Sequence, residues 1–312
     1  METMKYKEWL KMWFEHYLEP SAKKHTQESY KSLLNNHILP KLGEYDLDEI
    51  TPIVIQQFIT EQLTTGNERT GAGLSPNTVN LTITIIQESL EVAHMLGYAS
   101  EYSAHKVKRP KAKEKKVECF SKEEQKRIEQ AVLTHKKPKM FGVLLCLYTG
   151  LRVGEVLALE WNDIDFSKKE LYVTKSCMDG KSVSGGYQRL VDTPKTDTSI
   201  RTIPLPKQLI APLKEIRAKN HSRYVVGDHN KIISVRSYQR SFELLLKKLK
   251  IRHRGFHSLR HTFATRALEC GMDVKTLSEI LGHKSPTVTL KRYAHSMMDH
   301  KKEMMDRVGK LL

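Results

Sequence analysis

Residues 104–118, AHKVKRPKAKEKKVE, constrain the fold of this chain more than any other stretch. Lys106, Lys108, Arg109, Lys111, Lys113, Lys115 and Lys116 crowd around Pro110 with almost no apolar side chain between them. A segment of that composition has nothing to bury, so it divides the chain. It is expected to be a solvated linker or a strap lying along phosphates, and the two roles are compatible. The expected organisation is a helical domain over 1–104, a basic linker over 105–118 and a second domain over 119–312. With 312 residues in all, each domain is long enough to bury a core of its own.

Charge is spread unevenly across this boundary. Residues 1–110 carry 11 Lys+Arg against 14 Asp+Glu, whereas residues 111–312 carry 41 against 22. The whole chain is at +16, and its excess of cations favours a polyanion gripped by the second domain and the junction. Cys119, Cys146, Cys177 and Cys270 show no C-x-x-C spacing, so neither a disulfide framework nor a zinc ribbon is indicated and reduced thiols are expected. Lys5, Lys7, Glu8 and Lys11 interrupt any apolar leader, and no apolar run approaches the ~20 residues of a membrane span. The expected location is the cytoplasm, with no membrane partner.

The first hundred residues carry a helical period. Tyr6, Leu10, Trp13, Phe14 and Leu18 form one stripe that ends at Pro20, and Tyr30, Leu33, Leu34 and Ile38 form a second that stops at Pro40. Thr51-Pro52 starts a third helix through Ile55, Phe58, Ile59 and Leu63. After a glycine-containing loop over 64–75, Pro76 opens a long fourth helix through Val79, Ile83, Ile86, Leu90 and Ala93. The second domain begins with a capping-box pair, Ser121 and Glu124, for a helix near 121–134. An apolar helix over 140–148 ends at Gly150. The pattern turns to β around 161–178 and 190–205, with Leu171, Val173, Ile200 and Ile203 separated by Gly- and Asp-containing turns and a Gly/Ser insertion running from Asp179 to Gly186. Helices resume near 207–219 and 236–250 and continue from 257 onward. The expected fold is mainly α with a small antiparallel β-sheet, the second domain being α+β.

Chemistry concentrates in the second domain. In HSLRHTFAT, His257, Arg260 and His261 fall at i, i+3 and i+4 on one helical face, beside an apolar stripe of Phe256, Leu259, Phe263, Ala267 and Cys270. A planar guanidinium beside an imidazole suits a phosphate site. His257 and His261 could also form half of a zinc site, but no HExxH acid intervenes and no third ligand is evident. In TGLRVGEVLAL, Gly150 permits a sharp turn, Arg152 stands at a helix start, and Glu155 is one turn on, where it could hold the guanidinium. In LGHKSPTVTLKRYAH, Gly282 and Pro286 put His283 in a turn ten residues before Tyr293.

Taken in order, TGLRVGEVLAL, PKTDTSIRTIPL, HSLRHTFAT, LGH and LKRYAH resemble the tyrosine recombinases, or phage integrases, in both sequence and approximate spacing. Their wording is most similar to integrases of Gram-positive phages and conjugative transposons. The first hundred residues resemble that family's SAM-like, helical core-binding domain, so the likeness covers nearly the whole chain. It implies a site-specific recombinase that cuts and rejoins DNA through a 3′-phosphotyrosine, integrating or excising a mobile element.

The resemblance assigns Arg152 and Arg260 as phosphate-clamping arginines, Lys195 as the catalytic lysine, His257 and His283 as the two histidines and Tyr293 as the nucleophile. Lys175 and Lys181 also lie in the β region and compete with Lys195 for the lysine's role. Two guanidinium forks would neutralise charge developing at phosphorus. A tyrosine hydroxyl, with a pKa near ~10, needs a base, which His257 would supply, and the leaving 5′-oxygen needs an acid, which Lys195 would supply. No P-loop, acidic metal cluster or zinc pattern is present in the sequence, and no cofactor or metal is expected.

The implied partners are double-stranded core sites, a homotetramer on paired sites and an accessory DNA-bending or excision factor. A type IB topoisomerase uses similar chemistry, but the compact LGH and short His283-to-Tyr293 interval favour the recombinase; a non-catalytic DNA-binding relative would not need Arg152, Arg260 and Tyr293. The helical unit begins almost at Met1, which leaves no room for an arm-binding domain, so either the chain works without arm sites or it is a shortened form. Beyond Tyr293, Met297, Met298, Met304, Met305, Val308, Leu311 and Leu312 give an apolar stripe. That stripe would pack on its own domain or dock as an exchange helix on a neighbouring protomer.

Overall fold

The computed structural model describes residues 4–102, 104–112, 117–135, 137–181, 187–192, 200–227 and 230–293, together with 302, 305–306 and 308–310. The chain divides into two compact units, Met1–Lys115 and Lys116–Leu312.

The first unit is helical. Its helices are α1 (Tyr6–Trp13), α2 (Lys24–Leu33), α3 (Leu39–Leu42), α4 (Pro52–Thr65) and α5 (Pro76–Met95). Of the two prolines read as helix stops, Pro20 follows the end of its helical run at Leu18 as expected, whereas Pro40 lies inside α3. Each is preceded by a widened, π-helical turn, Phe14–Leu18 before Pro20 and Leu34–Ile38 before Pro40, and the second runs directly into α3. A proline lacks the N–H that would bond back four residues, and its ring crowds that carbonyl; widening the preceding turn relieves both problems. The stripes of α1, α4 and α5 meet in a core of Trp9, Leu10, Trp13, Phe58, Ile59, Ile83 and Ile86. Two polar ties cross it. The Trp9 Nε1–H donates to the Ser89 carbonyl at 2.9 Å, and the Tyr6 hydroxyl lies 2.8 Å from Ser89 Oγ.

Part of the basic segment is built into this unit. Val107 packs against its core, the Lys108 N–H donates to Gln56 Oε1 at 2.9 Å, and Asn80 Nδ2 donates to the Pro110 carbonyl at 2.9 Å. The Arg109 guanidinium bonds Gln87 Oε1 and, at 3.2 Å, Thr84 Oγ1. Lys106, Lys108 and Lys111 stay exposed, while Lys113, Lys115 and Lys116 lie outside the described residues.

In the second unit Ser121 and Glu124 form the expected capping box, with Glu124 N–H to Ser121 Oγ at 3.1 Å and Ser121 N–H to Glu124 Oε2 at 2.9 Å. They open α6 (Lys122–His135), which is followed by α7 (Pro138–Thr149) and α8 (Val153–Ala158). An antiparallel sheet is ordered β1 (Ile164–Asp165), β2 (Glu170–Val173), β5 (Arg201–Pro204), with Leu171 opposite Ile203 and Val173 opposite Arg201. The stretch read as a Gly/Ser insertion contributes to a separate hairpin of β3 (Ser176–Lys181) and β4 (Tyr187–Asp192). Asp179 has a structural task there, since its carboxylate accepts the N–H groups of Val235 and Arg236 at 3.2 and 3.1 Å. Those residues start α10 (Val235–Lys248), which follows α9 (Lys207–Lys219).

The site-bearing helices are α11 (His257–Glu269), α12 (Val274–Leu281) and α13 (Pro286–Tyr293). The expected apolar stripe of α11 holds for Phe256, Leu259 and Ala267, which are buried. It fails at Cys270, which is exposed, because the helix has ended at Glu269 and the chain turns away. Among the described residues no helix is long and apolar enough to cross a membrane.

Candidate active site

Gly150 ends α7 in the left-handed conformation, at φ 67°. A Cβ placed there would stand 2.6 Å from Phe263 Cδ1 and 2.7 Å from Leu281 Cδ2, so both the turn and the packing require glycine. The turn delivers Arg152 to the start of α8 and points the Gly150 carbonyl at α11. Gly150→Ala is therefore expected to cost about 2–4 kcal/mol, combining left-handed strain with overpacking, and to lower the denaturation midpoint accordingly.

The sequence placed Arg260 on a polar helical face; the structure buries it to 1% exposure. Its Nη1 donates to the Gly150 carbonyl and its Nη2 to the Leu281 carbonyl, each at 2.7 Å. Burial first, and then the positive charge of Arg152, push this guanidinium down to about 9, so it is still a cation at neutral pH. Arg152 remains partly exposed. Its Nη1 donates to Glu155 Oε1 at 2.8 Å and its Nη2 to the Gly282 carbonyl at 3.0 Å. The site thus holds two cations tied to adjacent carbonyls, those of Leu281 and Gly282.

Glu155 is buried, and it binds more than Arg152. Arg201, at the head of β5, donates from Nη1 to Oε1 at 3.1 Å and from Nη2 to Oε2 at 2.9 Å, and its Nε donates to the Ile280 carbonyl. Burial opposes ionisation of Glu155, but the hydrogen bonds and charge of Arg201, with the charge of Arg152, overcome it and hold the carboxyl at about 2. Arg201 lies inside PKTDTSIRTIPL, yet nothing local in that motif singles it out.

Tyr293 ends α13 and is buried among Ala264, Ala267, Leu268, Leu277 and Leu281. Its hydroxyl lies 2.7 Å from Nδ1 of His261, a partner that the sequence reading did not name. The His257 and His261 rings meet edge to face with centroids 4.5 Å apart. The signal for His261 was present in the i, i+4 spacing but did not say which ring faces the tyrosine. His283 follows the left-handed Gly282, and its Nδ1 lies 2.7 Å from Oγ1 of the buried Thr289 on α13. Lys195 lies outside the described residues, and so do the side chain of Lys181 and most of the chain beyond Tyr293. Lys175 is engaged elsewhere. Its ammonium pairs with Glu160 at 2.8 Å and Asp163 at 3.3 Å; burial opposes its charge, but these partners raise its pKa overall.

Residues 118–300 match the model of the phage integrase family, and residues 5–63 match that of the phage integrase N-terminal SAM-like domain. A tyrosine recombinase XerC-like protein of Caldanaerobacter subterraneus subsp. tengcongensis is 34% identical over 219 residues, which cover 64% of this chain and 55% of that protein. The chain thus spans little more than half of that relative's length. The ICEBs1 integrase of Bacillus subtilis is 28% identical over 308 residues, covering 94% of this chain and 80% of that protein. Among solved structures, the Tn1549 transposon integrase in complex with a circular intermediate DNA superposes with a TM-score of 0.79. That match covers 98% of this chain and 100% of the other at 19% identity, a likeness of fold.

Proposed function

Because this chain belongs to the phage integrase family, we propose that it is a site-specific DNA recombinase that cleaves and rejoins strands through a 3′-phosphotyrosine, integrating or excising a mobile element. The observation that carries this is the convergence on α11 of a tyrosine hydroxyl and two anchored guanidiniums. His261 holds Tyr293, Arg260 lies one residue before it, and Arg152 is bound to the carbonyl beside Arg260's own acceptor. A binding module has no use for a buried cation aimed beside a buried hydroxyl. An enzyme that puts charge on a phosphate does.

In this mechanism the Tyr293 oxygen attacks phosphorus as the bond from phosphorus to the 5′-oxygen breaks. The tyrosine proton passes to the imidazole pair of His261 and His257, and Lys195 gives a proton to the departing 5′-oxygen. Arg152 and Arg260 keep donors for the non-bridging oxygens, since a guanidinium carries five N–H groups and each side chain uses two on the protein. His283, steadied by Thr289, is the further donor to the phosphate. The phosphotyrosine conserves the phosphodiester linkage, so a 5′-hydroxyl can reverse the step without ATP.

The direct test is a suicide duplex carrying the element's end sequence, nicked so that the cleaved strand diffuses away. A recombinase accumulates on it as a covalent adduct; a chain that binds the duplex without adduct is not one. Lys195 is tested with a 5′-bridging phosphorothiolate, whose sulfur leaves without protonation. That substrate is expected to restore cleavage by Lys195→Ala but not by Arg260→Ala. The paired, pKa-raised state of Lys175 supports this assignment, and rescue of Lys175→Ala instead would move the acid there.

The proposed partners are double-stranded core sites and a homotetramer on paired sites, with an accessory DNA-bending or excision factor. Exposed Lys106, Lys108 and Lys111 support phosphate contacts from the basic segment, to which Lys113, Lys115 and Lys116 would add; Arg109, bound by Thr84 and Gln87, is the weakest of the set. Exposure of Met305 and Val308, at 68% and 47%, supports an exchange helix that docks on a neighbour.

A further inference from the structure

The end of α12 shows what orders the two catalytic cations. An α-helix leaves its last carbonyls without intrahelical partners, and its C-terminus carries partial negative charge. Here Gly282 turns left-handed, and two closing bonds follow, from Gly282 N–H to the Glu279 carbonyl and from His283 N–H to the Ser278 carbonyl, both 3.0 Å. The next three carbonyls, of Ile280, Leu281 and Gly282, are taken in sequence by Arg201 Nε, Arg260 Nη2 and Arg152 Nη2. The outer two arginines are also joined by Glu155. Each carboxylate oxygen of Glu155 accepts once from Arg201 and once from Arg152: Oε1 from both Nη1 groups, Oε2 from Arg201 Nη2 and from the Arg152 backbone N–H at 2.8 Å.

We propose that Arg201 is a positioning residue for strand cleavage, which sets the Arg152 guanidinium through Glu155 and locks the Ile280–His283 turn against it. This deepens the recombinase reading and rests on it. The Arg201 side chain is only 6% exposed and binds Glu155 through both Nη groups and the Ile280 carbonyl through Nε, so it reaches Arg152 through the carboxylate they share. Its two Nη groups bind the two oxygens of one carboxylate while its Nε reaches a carbonyl, an arrangement that a guanidinium meets and an ammonium does not. Without Arg201, Arg152 would face Glu155 alone, free to close on both carboxylate oxygens and swing from the Gly282 carbonyl. A displacement of about 1 Å at such a group can slow a reaction ~100-fold.

The experiment is single-turnover adduct formation on the nicked duplex by the full chain, Arg201→Lys, Arg201→Met, Arg152→Ala and the Arg201→Met/Arg152→Ala double variant, with site affinity measured in parallel. Arg201→Met is expected to slow adduct formation ~100-fold while site affinity stays within about twofold, and Arg201→Lys to lie between it and the parent chain. The double variant is expected to be no slower than Arg152→Ala alone, because the second loss acts through a group already removed. Parental rates in Arg201→Met, or losses that multiply in the double variant, would overturn the proposal. If Arg201→Met does not fold, Arg201→Lys carries the same comparison with Arg152→Ala; failure of both to fold makes Arg201 a stabilising ion-pair partner only and also overturns it. A parent chain that binds the duplex but forms no adduct overturns the recombinase reading itself, an outcome distinct from all the others.

Discussion

Tyr293→Phe is expected to bind its DNA site as tightly as the parent chain and to form no covalent adduct. The phenyl ring fills the same space among Ala264, Ala267, Leu268, Leu277 and Leu281, so packing is preserved. The change removes one hydroxyl whose partner is His261 Nδ1 at 2.7 Å, a loss of about 1 kcal/mol in stability. Chemistry loses everything, because no other atom at that position can attack phosphorus. The remaining tyrosines of the unit are poor substitutes. Tyr238 is fully buried and lies where a side chain on Gly142 would strike its hydroxyl, and the Tyr172 hydroxyl donates to Glu170 at 2.9 Å. Tyr148 is half-buried, with burial and the nearby Glu129 raising its pKa; Tyr187 and Tyr224 complete the set. Peptide mapping of the adduct separates them all, and an adduct formed by Tyr293→Phe would end the assignment.

Arg260→Ala is expected to slow adduct formation by roughly two orders of magnitude or more, since it removes a buried donor aimed at developing charge. It should also weaken the fold. The carbonyls of Gly150 and Leu281 each lose a bond, and a buried acceptor left unsatisfied costs about 1–3 kcal/mol. Arg260→Lys separates the two effects. It keeps the charge, but one ammonium cannot span both carbonyls and still face a phosphate in a plane, so cleavage is expected to remain far below the parent rate. Near-parental cleavage by Arg260→Lys, measured in single turnover, would show that charge alone suffices.

What the sequence determined by itself was local. The helical stripes of α1, α4 and α5, the Ser121–Glu124 capping box and the glycine stops at Gly150 and Gly282 each arise within one or two turns of chain, where spacing fixes which residues share a face. The ordered motifs around Arg152, Arg260, His283 and Tyr293 were legible for the same reason, with the resemblance supplying their roles. The widened turns before Pro20 and Pro40 were not, since a proline says that a helix must yield and not how. The partners were decided only by tertiary structure. The contact of Tyr293 with His261 joins segments 32 residues apart, so it is a matter of packing that helical spacing does not report. Arg260 is buried rather than displayed because the ends of α7 and α12, Gly150 and Leu281, both close on it. Arg201 stands 46 residues from Glu155 and 79 from Ile280, so no periodicity in one strand could report that it completes a clasp on α12. A helix period encodes which side chains face inward; which carbonyl or carboxylate waits there depends on other elements arriving in register.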